Sequence, residues 1–287
     1  MKTSTEIASA GKVVGAEKAV EYIAKAGFDC YDFSMFDMAR YDWETGKVLD
    51  NGSPLRGNDY LKYVRNIKRI ADDNGIFCNQ SHAPFPSGVP DIDKWHKRAI
   101  ECTAELGGKI CVIHPNVYIS AEENAEMYHK LLPFAKEHGV KIATENMFFW
   151  DLPNQIGMPA SCSSPESFIE HIEAVDDDYF VACVDIGHAE MAGVNGGAVR
   201  ILKALGSHVQ ALHIHDNNLR KDLHQIPFSM DINFEEVVKA LKEIDYKGEF
   251  TLEADSYLNK FNEENCFEGV KDLYNSARKL ADMYEKL

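Results

Sequence analysis

Residues 211–224 read ALHIHDNNLRKDLH, which places three histidines and two aspartates in fourteen positions. Imidazoles and carboxylates at this density are the groups that bind divalent metals and move protons near neutral pH. One segment cannot complete such a site, so matching groups must come from elsewhere in the chain. They are present as His82 in SHAPFPSG, His114 in IHPN, Glu145 in TENM, Asp185 and His188 in VDIGHAEMAG, and Glu253 in TLEAD. With His213, each stands at the end of a short apolar run. A lone histidine or glutamate in that position is usually a satisfied core or capping group. A whole series is harder to read that way, because ionisable groups buried together without a cation repel one another or stay unpaired. Carboxylates combined with imidazole nitrogen suit Mn2+ or Zn2+ first, with Co2+, Fe2+ and Mg2+ behind them. All-oxygen coordination of Mg2+ or Ca2+ fits less well.

The elements that must carry these groups alternate regularly. Short runs rich in Val, Ile, Phe, Cys or Thr occupy 3–9, 30–35, 76–84, 109–116, 141–147, 180–188, 209–217 and 249–255. Several are apolar on both faces, as buried parallel strands require. Helical periodicity fills 16–29, 58–76, 92–106, 121–138, 164–175, 196–206, 233–244 and 266–286. Asn233, with Glu236 behind it, predicts a helix cap of the capping-box kind, and Ser164–Pro165 predicts another start. Eight strand–helix units over residues 1–287 predict an α/β chain folded as a single (β/α)8 TIM barrel, in which the strand ends converge on one mouth. The rival, a doubly wound nucleotide-binding sheet, wants a glycine-rich turn after its first strand. SAGKVVGAEKAV (9–20) lacks G-x-G-x-x-G, and no Walker pattern occurs. The longest irregular piece, 36–57, follows the second strand and is expected on the mouth side.

Composition narrows the function. A formal net charge of −16 over 287 residues disfavours nucleic acid and anionic membrane as partners. No apolar run approaches the roughly 20 residues of a membrane span, and MKTSTEIASAGKVVG has no apolar leader core, so a cytoplasmic protein is expected. The seven cysteines form no CxxC pair and are expected as reduced, buried thiols.

TENM, VDIGHAEMAG, HIHDNN, DLH and GEFTLEAD occur in an order that resembles the xylose isomerase-like TIM barrel superfamily, and within it the sugar-phosphate isomerase/epimerase group. The resemblance covers nearly the whole chain. It implies a single divalent metal held by Glu145, Asp185, His213 and Glu253, a substrate contact at His188, and a small sugar or polyol as substrate, with homodimers common. His82, His114, Asp222 and His224 are then substrate-binding or supporting groups, and His215 and Asp216 rim residues. Apurinic endonucleases of the same superfamily hold three zinc ions with nine ligands. Residues of the right type stand here at all nine places: His82, His114, Glu145, Asp185, His188, His213, Asp222, His224 and Glu253. The acidic charge and the lack of basic, glycine-rich DNA-binding loops favour the sugar enzyme.

The expected chemistry is proton transfer through a metal-bound enediolate, with Glu145 and Glu253 as acid and base. Return of the proton to the opposite face gives epimerisation, return to the neighbouring carbon gives isomerisation, and loss of a β-hydroxyl gives dehydration. A barrel that only binds is the non-enzymatic alternative, and the intact ligand set argues against it. The chain also departs from its relatives. PFSMDINF (227–234) has Phe228 and Met230 where two glycines are common. The arginine of the ketose 3-epimerases falls at Leu219, and Arg220 next to it is the candidate for that substrate-binding or supporting role. Gln80 joins His82 and His114 as a substrate-binding or supporting group. Trp43, Phe85, Phe148, Phe149 and Trp150 lie near mouth loops, where aromatic rings either stack on a sugar or seal the rim.

Overall fold

The computed structural model describes every residue of the chain except Trp43. Eight strands make one parallel sheet: β1 Thr3–Glu6, β2 Cys30–Ser34, β3 Phe77–His82, β4 Ile110–Val112, β5 Lys141–Glu145, β6 Phe180–Asp185, β7 Val209–His213 and β8 Phe250–Leu252. Their spatial order is β7-β6-β5-β4-β3-β2-β1-β8. A parallel bridge between Ile214 and Leu252 joins the two ends and closes the cylinder, with Ile214 N donating to Thr251 O and Glu253 N donating to Ile214 O. Helices pack around it, and the fold is the expected (β/α)8 barrel.

All eight strands and eight helices fall where periodicity predicts them, and the differences have local causes. The first strand stops at Glu6, because Ala8–Val14 forms a helix of its own; Gly15, at φ 84, separates it from Ala16–Ala26. The sixth stops at Asp185, whose carboxylate accepts the His188 amide at 2.6 Å and caps the five-residue helix Ile186–Glu190. Asn233 caps its helix as expected by accepting from Glu236 N, without the return bond of a full box, and Ser164 caps the helix that begins at Pro165. Segment 36–57 holds a 3-10 turn, Phe36–Ala39, and a small ribbon pairing Tyr41–Asp42 with Lys47–Val48. Trp43 lies outside the described residues. A second ribbon, Phe148–Asp151 with Ile156–Pro159, follows β5. All seven cysteines are free and buried, and no helix among the described residues is long and apolar enough to cross a membrane.

Inside the barrel, Val112, Ala143, Val181, Cys183 and Ala211 form a small apolar cluster. Four of them stand two residues before His114, Glu145, Asp185 and His213. Strand side chains alternate with period two, so the ionisable groups form the next layer up on the same inward face. The other half of the interior is polar. A register shift in β3 leaves Asn79 without a partner opposite, between Cys78 (paired with Tyr31) and Gln80 (paired with Asp32). Asn79 accepts from Ser4 Oγ at 2.7 Å and donates to Thr251 Oγ1 at 3.0 Å. Gln80 donates to Asp32 Oδ2 at 2.8 Å. Replacing Asn79 by Ala strands the Ser4 hydroxyl in a water-poor interior and leaves Thr251 Oγ1 with only its bond to Gln80. It is expected to lower stability by about 1–3 kcal/mol, read as a lower urea midpoint at unchanged slope; an unmoved midpoint would show that this column is not energetically coupled to the fold.

Candidate metal centre

Glu145, at the end of β5, is the hub of the mouth. Its Oε2 lies 3.0 Å from His213 Nδ1, 3.3 Å from His114 Nε2 and 3.4 Å from His82 Nε2, and its Oε1 lies 3.4 Å from His188 Nδ1. Glu253 Oε2 is 3.5 Å from the same His213 Nδ1. Glu145, Asp185, His213 and Glu253 are all buried, and one ligand atom from each falls within 4.8 Å of the others. Four further groups among the described residues meet the same condition, among them His82, His114 and Glu145, and His188, His215, Asp222 and His224.

Both Glu145 carboxylate oxygens, Asp185 Oδ2, His213 Nδ1 and Asp222 Oδ1 are buried without a hydrogen-bond partner. Buried polar atoms in folded proteins are nearly always paired. Oxygen and nitrogen lone pairs that converge without hydrogen bonds are what a divalent cation requires, so the donor set fits one.

The imidazoles are held from behind. His213 Nε2 sits 3.3 Å from Asp32 Oδ2, the oxygen that also accepts from Gln80. With its Nε2–H directed there, the Nδ1 lone pair faces Glu145 and Glu253. His82 Nδ1 lies 3.0 Å from Ala83 O, His188 Nδ1 3.0 Å from Asn146 O, and His224 Nδ1 2.7 Å from Glu253 O, which leaves each Nε2 facing a carboxylate. Asn146 also clamps β6, donating to Asp185 O and accepting from Asp185 N, both at 2.8 Å.

The protein environment drives the charges apart. Burial raises the Glu145 carboxyl, but His213 and His114 overcome it and hold the group well below the usual carboxylate range. Burial dominates at Glu253 and pushes it up despite His213 and His224. Burial takes His114 down to about 4. Burial also disfavours the charged form of His188, yet Asp185 and Asp222 outweigh it and raise the group to about 10.

Some expected roles change. His215 is fully buried rather than a rim residue: its Nε2 is 3.1 Å from Asp185 Oδ1 and 3.5 Å from Asp222 Oδ1, and its ring stacks on His224 at 3.9 Å. The legible signal was the His213-x-His215 spacing, which puts both side chains on one face of an extended segment. Gly187 makes room for it, since a Cβ there would lie 1.9 Å from His215 Cε1. Asp216 is also buried, and accepts from the Met230 and Ile232 amides at 2.8 and 3.1 Å to build the following loop. Arg220 is exposed, and among the described residues its guanidinium pairs with no carboxylate of the cluster. Asp32 went unread, although a carboxylate inside the apolar run CYDFSM was its signal. The loop after β7 holds Leu219, His224 and Phe228 at φ 59, 42 and 70. Phe228 thus occupies the left-handed region that glycine favours. Such conformations cost about 1–3 kcal/mol each and collect at functional loops.

The pattern described as xylose isomerase-like TIM barrel matches residues 20–277. The chain belongs to this family. An uncharacterised protein of Methanocaldococcus jannaschii is 28% identical over 238 residues, 77% of this chain and 78% of its own length. Among solved structures, a D-tagatose 3-epimerase-like protein superposes with a TM-score of 0.71 at 22% identity, covering 100% of this chain and 99% of its own. A D-psicose 3-epimerase studied in the presence of D-fructose gives 0.71 at 14% identity, covering 99% of both chains. At these identities the likeness to the solved structures is one of fold, within the xylose isomerase-like TIM barrel family.

The raised His188 fixes a sign. A histidine whose pKa is higher folded than unfolded stabilises fully below its unfolded value, and that contribution disappears as pH rises through the folded value. In chelator-treated protein it is therefore complete below about pH 6.5 and lost towards about pH 10. The melting temperature should fall over that window more steeply for wild type than for His188→Asn; equal slopes would show that His188 is neutral in the folded, metal-free state.

Proposed function

We propose that this chain is a divalent-metal-dependent isomerase or epimerase of a small sugar or polyol, with residues 1–287 acting as one barrel domain. The observation that carries the reading is the convergence of Glu145, Asp185, His213 and Glu253 ligand atoms within 4.8 Å, with both Glu145 oxygens buried and unpaired. The epimerase descriptions of its fold neighbours support it. The four residues would hold one cation, Mn2+ or Zn2+ ahead of Co2+, Fe2+ or Mg2+. A cation bound there supplies a Lewis acid that polarises a substrate carbonyl and offsets charge developing on it.

The chain's own groups do the rest. Glu145 and Glu253 reach the centre from different strands, each with a second oxygen available for proton transfer. In the metal-free protein, His213 and His114 hold Glu145 ionised while burial raises Glu253. Removal of a proton from carbon by one and return on the opposite face by the other gives epimerisation. His188 and His114 stand where they can orient substrate hydroxyls. Asp32 keeps His213 in the tautomer that presents Nδ1. Dehydration on the same framework follows if a β-hydroxyl leaves instead.

A second reading has its own observation. The nine histidines and carboxylates fall into neighbouring close groups, two of them sharing Glu145 (with Asp185, His213 and Glu253, and with His82 and His114) and the third joining His188, Asp222 and His224 with His215; neighbouring groups of this kind are what three cations and phosphodiester hydrolysis would require. Metal analysis of protein purified without chelator separates the readings. About one ion per chain sends the work to ketoses, and about three zinc ions send it to abasic-site DNA.

Glu253→Gln should keep its metal and lose about 100-fold or more in kcat; full turnover with metal in place would remove Glu253 from proton transfer. Asp32→Ala should weaken metal binding about 10–100-fold in a competition titration on folded protein, and should also lower the melting temperature of the metal-free protein, since Gln80 Nε2 and His213 Nε2 lose a buried partner. Unaltered affinity would show that the Asp32–His213 contact does not set the tautomer.

A further inference from the structure

Beside the cluster lies a cleft of about 600 Å3, walled largely by aromatic rings. Phe85 stacks on His114 with ring centres 5.0 Å apart at 30°, and Phe148 meets His188 edge-on at 5.0 Å. The cleft is therefore continuous with the ionisable centre. Phe149 packs on Tyr118 at 5.3 Å, and Trp150 extends the wall 6.5 Å beyond Phe148. Phe85 and Tyr118 remain 36% and 72% exposed. Neighbouring apolar rings left open to solvent usually mark a binding surface.

The rest of the lining is neutral. Among the described residues, no Lys, Arg, Asp or Glu borders the cleft. Asn116 supplies an uncharged amide, and Gly88 lets it approach, since a Cβ there would lie 3.1 Å from the Asn116 Nδ2. Phosphate recognition needs cationic partners or clustered backbone donors, and the wall offers no cation. Aromatic faces with a few neutral polar groups suit the C–H face of a sugar ring.

Resting on the isomerase/epimerase reading above, we propose that the cleft binds an uncharged second sugar ring, linked to the unit that reacts at the cluster. The substrate class is then a keto sugar carrying a glycosyl substituent, rather than a sugar phosphate.

The test compares metal-loaded wild type, Trp150→Ala and Trp150→Phe on a free ketohexose, its phosphate ester and the same ketose bearing a pyranosyl substituent. Wild type should prefer the glycosylated ketose over the free sugar by at least tenfold in kcat/KM, and the phosphate should be poorest. Trp150→Ala should collapse that preference through KM, and Trp150→Phe, which keeps a stacking face, should retain most of it. Saturation-transfer NMR with the reduced, unreactive disaccharide reads binding without turnover, and its pyranosyl protons should carry the strongest signal. Equal turnover of free and glycosylated ketose, unchanged by Trp150→Ala, overturns the cleft and leaves the reaction standing. Binding of the reduced disaccharide that Trp150→Ala abolishes, without turnover of any ketose, supports the cleft and overturns the reaction. A preference for the phosphate ester overturns the cleft, and absence of both binding and turnover overturns both.

Discussion

The constraint on which the rest depends is the burial of one carboxylate, Glu145, with both oxygens unpaired and four imidazole nitrogens within 3.4 Å of them. An isolated ion in such a place costs several kcal/mol even after relaxation. The surroundings offset that cost with positive or electron-accepting groups, either protonated imidazoles or a divalent cation. Both solutions demand the same geometry, namely nitrogen atoms aimed inward and anchored from behind. Two of the rings are anchored in this way, Asp32 behind His213 and Ala83 O behind His82, whereas the His188 Nδ1 near Glu145 itself meets Asn146 O.

The barrel makes this concentration of charge possible because it separates two tasks. Outside the strands, an apolar layer packs against the helices and holds the cylinder together. Inside, a layer of small apolar side chains supports the ionisable layer two residues further along each strand. Strand periodicity thus turns a one-dimensional rule into a plane of ligands. The polar column from Ser4 through Asn79, Thr251 and Gln80 to Asp32 continues the same logic: each side chain hydrogen-bonds to the next, up to the ring that faces the centre.

The mouth is asymmetric. On the side of β6, β7 and the following loop, His188, His215, Asp222 and His224 form a second ionisable cluster, reached by backbone held in the left-handed region at His224. On the side of β3, β4 and the ribbon after β5, aromatic rings and neutral groups form the wall. One face of a bound molecule would meet charge and the other would meet apolar surface. That division would suit the proposed substrate, with a chelating end and a ring-shaped end.

The sequence by itself determined the barrel, because eight short apolar runs alternating with helical stripes leave few other ways to bury both faces of a parallel sheet. It also determined which groups share the mouth, because strand ends in this architecture converge whatever the loops do. It could not tell His215 from a surface residue, since the burial of a loop-edge side chain depends on Gly187 making room from the short helix that follows β6. Nor could it show that Asp32 meets His213, because that contact joins residues 181 positions apart through the shared interior of the cylinder. Which oxygen faces which nitrogen, and that one side of the mouth is charged while the other is aromatic, were decided only when closure of the sheet fixed the register of each strand against its neighbours.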